Sequence, residues 1–286
     1  MNEPARRRVQ CASPSGLHWM SYLEWGARDN PRIVVCVHGL TRCGRDFDFL
    51  ARALASGYRV ICPDVAGRGE SQWLRNPMEY AVPTYVADMV SLVARLDAEA
   101  IDWVGTSLGG LIGMAYAAQA GSPIRRLVLN DVGPVLTAAA LDRIGAYVGK
   151  APRFSSMDAA ENYVRTVSAP FGPHSDAQWR FLTEHVVRRE SDGTLRMHYD
   201  PAIAVPFNAR TTREGVDLWP LYDMIRCPTL LLRGARSDLL TADTALAMSG
   251  RGPKARRVEF QGVGHAPTLI HDDQIGAVRE FLLGAR

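Results

Sequence analysis

Ile101-Asp102-Trp103-Val104-Gly105-Thr106-Ser107-Leu108-Gly109-Gly110 decides how this chain folds. Its first four residues are a short apolar run of the kind that forms a strand covered on both faces. From Leu108 to Ala120 the spacing becomes helical. Between the two stands Gly105-Thr106-Ser107-Leu108-Gly109, a G-x-S-x-G motif at a strand-to-helix junction. A serine there occupies a strained turn that lifts its hydroxyl off the sheet edge. The two glycines let strand and helix approach closely.

Outward from this junction the same alternation repeats. Ile33–Val37, Arg59–Cys62 and Arg126–Leu129 read as buried parallel strands, and Phe47–Ala55 and Val86–Leu96 as the helices between them. His18–Trp25 alternates apolar and polar residues, as a half-buried strand does. Strand and helix in alternation predict an α/β fold with a doubly wound, mostly parallel sheet. The rhythm stops after Asp131. From Pro134 to Leu218 helical patterns at Leu141–Val148, Met157–Val167 and Gln178–Val187 replace it, broken by Pro152, Pro170, Pro173 and Pro201. Strands return at Thr229–Leu232 and Arg256–Phe260, and helices at Thr241–Met248 and Gln274–Leu283. The expected organisation is a core of residues 1–133 and 219–286 interrupted by a helical insertion, 134–218.

Composition narrows the function classes. The 286 residues are 47% hydrophobic, and 33 basic against 30 acidic residues leave a formal charge of +3. Without a basic stripe this argues against a nucleic-acid binder. Arg6-Arg7-Arg8 reads as a solvated tail. The N-terminus lacks the apolar stretch of a secretory signal, and no run is long enough to span a membrane. Five cysteines, two of them inside strand-like runs, read as free thiols of a reducing compartment, hence a cytoplasmic protein. No CxxC pair suggests structural zinc, and no metal or organic cofactor is expected.

A serine hydroxyl needs a base, and the base needs a group to orient it. His265, in Gly262-Val263-Gly264-His265-Ala266-Pro267 after the last strand, is the candidate base. Asp238, in the loop after Thr229–Leu232, is the expected acid. Asp131, after Arg126–Leu129, is its competitor. The order Ser107, Asp238, His265 is that of α/β-hydrolases. The transition-state oxyanion needs backbone donors already in place, for which the N–H groups of Leu40 and Leu108 are the candidates. His38 is expected to hold the Leu40 loop.

With these residues in view the chain resembles the α/β-hydrolase superfamily, specifically its cap-bearing esterase and carbon–carbon hydrolase branch. The resemblance rests on His38-Gly39, Asp64-Val65-Ala66-Gly67-Arg68-Gly69-Glu70-Ser71, the Ser107 turn, Arg233-Gly234 with Asp238, and Gly264-His265, and it spans nearly the whole chain. It implies that the insertion is a lid over the nucleophile. Trp179, Trp219 and Tyr222 are then candidates to line the substrate pocket, with Phe181 beside them, and Arg188, Arg189 and Arg196 could attract a carboxylate. The expected function is hydrolysis of a carboxylic ester of a small molecule through an acyl-enzyme. The alternatives are carbon–carbon cleavage of a diketone by the same triad, and a receptor-like pocket with vestigial catalysis.

Overall fold

The computed structural model describes residues 3–209 and 215–284. Residues 210–214 of the expected insertion lie outside this range. Eight strands form one sheet, in the order β1 (Ala5–Ser13), β2 (Gly16–Trp25), β4 (Arg59–Pro63), β3 (Ile33–Val37), β5 (Ile101–Thr106), β6 (Ile124–Asn130), β12 (Thr229–Gly234), β13 (Arg256–Phe260). β1 and β2 run antiparallel to their neighbours, and every pairing from β4 to β13 is parallel. The parallel strands lie between two layers of helix. One face packs on α2 (Val82–Leu96) and α3 (Leu108–Ala117). The other packs on α1 (Asp48–Leu54) and α10 (Asp272–Leu283). Burial on both faces is why Ile33–Val37 and Thr229–Leu232 are apolar at every position but Thr229.

The parallel strands all end on one edge, so the loops that follow β3, β5, β6, β12 and β13 meet there. That edge carries every candidate catalytic residue.

Arg6-Arg7-Arg8 is not a tail. It belongs to β1, whose alternate residues Val9 and Cys11 turn inward while Arg8 lies over the Trp19 ring at 4.6 Å. The flanking charges hide a period-two pattern that only Val9-Gln10-Cys11 displays.

Between β6 and β12 the chain builds α4 (Ala138–Gly145), α5 (Met157–Val167), α6 (Asp176–Glu184), α7 (Ala204–Asn208) and α8 (Trp219–Asp223). The helical reading of this stretch omits some short strands. β8 (Arg153–Phe154), β10 (Leu195–Met197) and β9 (Val187–Arg189) form a small antiparallel sheet, and β7 (Val135–Leu136) pairs with β11 (Val216–Asp217). With two or three residues each, these strands are too short to show a period. α9 (Ala242–Gly250) completes the core. The inserted segment is tied down by backbone bonds: Gly69 N–H to His198 C=O (3.0 Å), Asp200 N–H to Gly67 C=O (2.7 Å) and Gly264 N–H to Pro170 C=O (2.7 Å).

Candidate active site

Ser107 stands at the end of the central strand β5 with φ 51° and ψ −113°, a backbone conformation that costs a non-glycine residue energy. The neighbouring glycines make it possible. A Cβ on Gly105 would overlap the carbonyl of Gly109, and one on Gly109 the carbonyl of Val37. Ser107 is the N-cap residue of α3, yet its hydroxyl caps no backbone N–H. It lies instead 3.0 Å from His265 Nε2.

His265 follows β13. Its Nδ1 lies 2.7 Å from Asp131 Oδ2, so the tautomer with hydrogen on Nδ1 leaves Nε2 to accept from Ser107. Asp131 is fully buried directly after β6, the strand beside β5. Its φ of 56° turns the carboxylate back over the sheet edge, a conformation Asp tolerates better than most residues. Gly234 N–H donates to its Oδ1 at 2.8 Å, and the Ser237 hydroxyl to its Oδ2 at 2.6 Å. Asn130 supports the same loop, donating to Thr106 Oγ1 and to the Pro267 carbonyl two residues past the histidine.

The expectation that Asp238 is the acid is therefore corrected. After Gly234 the chain makes a turn, Ser237 N–H to Gly234 C=O, that carries Asp238 outward. Its half-exposed carboxylate pairs with the Nε and Nη2 of Arg143, at 2.5 and 2.9 Å. The β12 loop supplies donors to a carboxylate from β6 rather than a carboxylate of its own. A sequence signal did exist: Asp131 is the first residue past its strand, whereas Asp238 is four past Gly234.

Leu108 opens α3, and the first N–H groups of a helix have no intrahelical acceptor. Leu40 lines the same cavity as Ser107 and His265. Two side chains fix its loop. His38 Nε2 accepts from Val65 N–H at 2.9 Å, and its Nδ1–H donates to the Gly39 carbonyl at 2.7 Å. Burial, with Arg68 and Arg42 nearby, pushes this imidazole down to about 3, so it stays neutral. Arg68, fully buried, donates from Nε to the Leu40 carbonyl (2.8 Å) and from Nη1 to Ala66 C=O and Tyr85 Oη. Arg68 stands in the Asp64–Ser71 stretch that carries the family resemblance, which assigns it no role; Asn130 and Ser237 carry supporting roles that no motif announced.

Above Ser107 lies a cavity of about 100 Å³. Its far walls come from the insertion, among them Tyr147, Tyr163, Phe171, Leu182 and Tyr199. The aromatic residues expected there lie elsewhere. Trp179 packs against His174 under the Arg165 guanidinium. Tyr222 is buried with its hydroxyl on the Met248 carbonyl, and Trp219 stacks edge-on against it beneath Arg251. All three pack structure, because burying a large ring satisfies the fold wherever a hydrophobic layer needs closing. Arg188 and Arg196 pair with Glu190 beside Trp73, outside the cavity.

A serine hydroxyl, an imidazole and a buried carboxylate in hydrogen-bonded series at the carboxyl edge of a parallel sheet define the class of serine hydrolases with a doubly wound core. The family model described as alpha/beta hydrolase fold matches residues 32–272, and the chain belongs to that family. It is similar to the 3-hydroxybutyrate-oligomer hydrolase of Cupriavidus necator, at 50% identity over 97% of each chain. An esterase of Mycobacterium tuberculosis is 27% identical, over 98% of this chain and 89% of its own. Among solved structures, an alpha/beta hydrolase from Novosphingobium aromaticivorans superposes with a TM-score of 0.88 at 37% identity, covering 99% of each. The protein is a hydrolase. No helix among the described residues is long and apolar enough to cross a membrane.

Proposed function

We propose that the protein hydrolyses oxygen esters of small hydroxy-acid oligomers, of the kind named for its Cupriavidus relative, by acyl transfer through Ser107. The observation that carries this is the series Ser107 Oγ, His265 Nε2, His265 Nδ1, Asp131 Oδ2, at 3.0 and 2.7 Å, opening into a mostly enclosed cavity. His265 takes the Ser107 proton as Oγ attacks the ester carbonyl. Asp131 holds the ring in the right tautomer and stabilises the imidazolium. The N–H groups of Leu40 and Leu108 receive the oxyanion. The imidazolium then protonates the departing alkoxide. Water, deprotonated by His265, releases the acyl group and restores Ser107.

The insertion 134–218 acts as a cap, and the cavity beneath it suits one or two short hydroxy-acid units better than a long chain. The five free cysteines, four of them buried, support a reducing cytoplasmic setting.

The test is incubation of the purified protein with 3-hydroxybutyrate dimer and trimer and with p-nitrophenyl butyrate. Ser107→Ala should lower kcat on each by about 10⁴- to 10⁶-fold. A fluorophosphonate probe should label Ser107 in the native protein. Native-level turnover by the variant, or labelling at another serine, would remove Ser107 from the mechanism.

A further inference from the structure

Among the described residues two cations line the cavity, and they are not equivalent. Arg42 is buried and committed: Nε and Nη2 sit on Asp46, and Nη2 also donates to the Leu182 carbonyl. Arg143 is different. It projects from α4 of the insertion, its side chain is 37% exposed, and only Nε and Nη2 are on Asp238. Nη1, with two N–H groups, has no hydrogen-bond partner among the described residues. Asp238 is itself 49% exposed, so the pair is hydrated and easily shared with a third charged group. Among the described residues, the insertion's other contributions to the cavity are mainly apolar or tyrosine side chains.

A solvent-facing guanidinium with donors to spare, in a cavity shared with the nucleophile, selects for an anionic group on the substrate. We propose that Arg143 binds the free carboxylate of the alcohol portion, making the preferred substrate an ester whose leaving group is a hydroxy acid. The proposal rests on the ester-hydrolase reading and deepens it. The reaction balances as R–CO–O–R′–COO⁻ plus water giving R–COO⁻, HO–R′–COO⁻ and one proton. The acyl carbon–oxygen bond breaks, and the alkoxide takes its proton from His265. The planar fork of Arg143 suits the two oxygens of a carboxylate. Asp238 has two effects: it holds the guanidinium in place, and its own charge opposes the incoming anion. Removing that charge should tighten binding of the acid.

The experiment compares the linear 3-hydroxybutyrate dimer with its methyl ester, following cleavage of the internal ester by chromatography and reporting the ratio of kcat/KM, acid over methyl ester. Arg143→Gln should lower this ratio by about tenfold or more, through KM for the acid. Arg143→Lys should keep the ratio within about threefold of native, because the charge survives although the fork does not. Asp238→Asn should raise it by about threefold. Added salt should lower the ratio in the native protein and not in Arg143→Gln. A ratio unchanged by Arg143→Gln, in a variant whose circular dichroism is native, overturns the proposal, as does a fall with Asp238→Asn. If the native protein cleaves neither dimer nor methyl ester, the ester-hydrolase reading itself falls. If it cleaves both and the ratio ignores Arg143, only the carboxylate site falls.

Discussion

Gly234 donates its backbone N–H to Asp131 Oδ1 across 2.8 Å, joining the end of β12 to a carboxylate that belongs to β6. Together with the Ser237 hydroxyl, this bond leaves the buried Asp131 with a partner on each oxygen before His265 is counted. A carboxylate so held cannot rotate away from the imidazole.

Asp131→Asn should therefore lower kcat on p-nitrophenyl butyrate by about 10⁴-fold, since an amide favours the wrong imidazole tautomer and removes the charge opposite imidazolium. Asp238→Asn should cost less than about tenfold on the same neutral ester, because its carboxylate faces Arg143. Single-turnover rates on folded variants decide the matter. A large loss at Asp238 with little at Asp131 would return the acid to the β12 loop.

Arg68→Leu should reduce both stability and turnover. The substitution strands the Leu40 and Ala66 carbonyls and the Tyr85 hydroxyl, each now served by the guanidinium. Buried groups left unpaired cost about 1–3 kcal/mol each. Because Leu40 carries a proposed oxyanion donor, kcat should fall by about tenfold or more while KM moves less. A drop in melting temperature with native kcat would confine Arg68 to a structural role.

The neutral, buried His38 makes stability depend on acid. Its folded pKa of about 3 lies below the ordinary value of 6.5, and His185, also lowered by burial, sits at about 4. Above pH 6.5 neither form of the chain binds the proton and their contribution is complete. As pH falls below 6.5 the unfolded chain takes protons the folded one refuses, and stability declines. Asp48 and Asp64, raised by burial from 3.8 to about 6, act in the opposite sense between those values. The net decline should thus be steepest just below pH 6.5 and flatten beneath pH 6. Thermal melts at pH 7.5, 6.2 and 5.0 would trace it, and His38→Asn should shrink the first step. An identical first step in that variant would show that His38 is not its source.

Gly109→Ala should abolish folding or expel the Ser107 turn from its position, since the added methyl overlaps the Val37 carbonyl on the neighbouring strand. Gly276→Ala, on α10 where an added methyl meets nothing within 4 Å, is the control and should melt near the native temperature. Soluble expression and circular dichroism of the two variants test the point. A native-like Gly109→Ala with full activity would contradict the close approach of α3 to β3.

What the sequence made legible follows from the range of the interactions involved. Ser107 and its glycines form one continuous local pattern, and His265 stands directly in a loop after the last strand. Both could be placed by counting residues. Asp131 against Asp238 was a question about which of two loops turns its side chain inward, and a turn closed by Ser237 N–H on Gly234 C=O settles that after the strands have assembled. Trp179, Trp219 and Tyr222 mislead for a related reason: an aromatic residue looks the same in a sequence whether it closes a hydrophobic layer or lines a cavity. Arg143 gave no local signal, because its partner is 95 residues away, and the role of Arg68, although it stands in the Asp64–Ser71 stretch, depends on the Leu40 carbonyl 28 residues away.

The bond from Gly264 N–H to the Pro170 carbonyl, with His174 Nε2 2.9 Å from Thr268 Oγ1, fastens the loop on either side of the base to the inserted segment. The segment is thus part of the scaffold that aims the imidazole as well as a wall of the cavity. An exchange of this region between relatives would transplant catalytic alignment together with pocket shape. A chimera that changes selectivity without losing turnover must bring an equivalent carbonyl at position 170 and an equivalent imidazole at 174. Deleting the segment to expose the nucleophile would leave the core with its serine in place and its base held from the core side alone, by Asp131 and, through the Pro267 carbonyl, by Asn130.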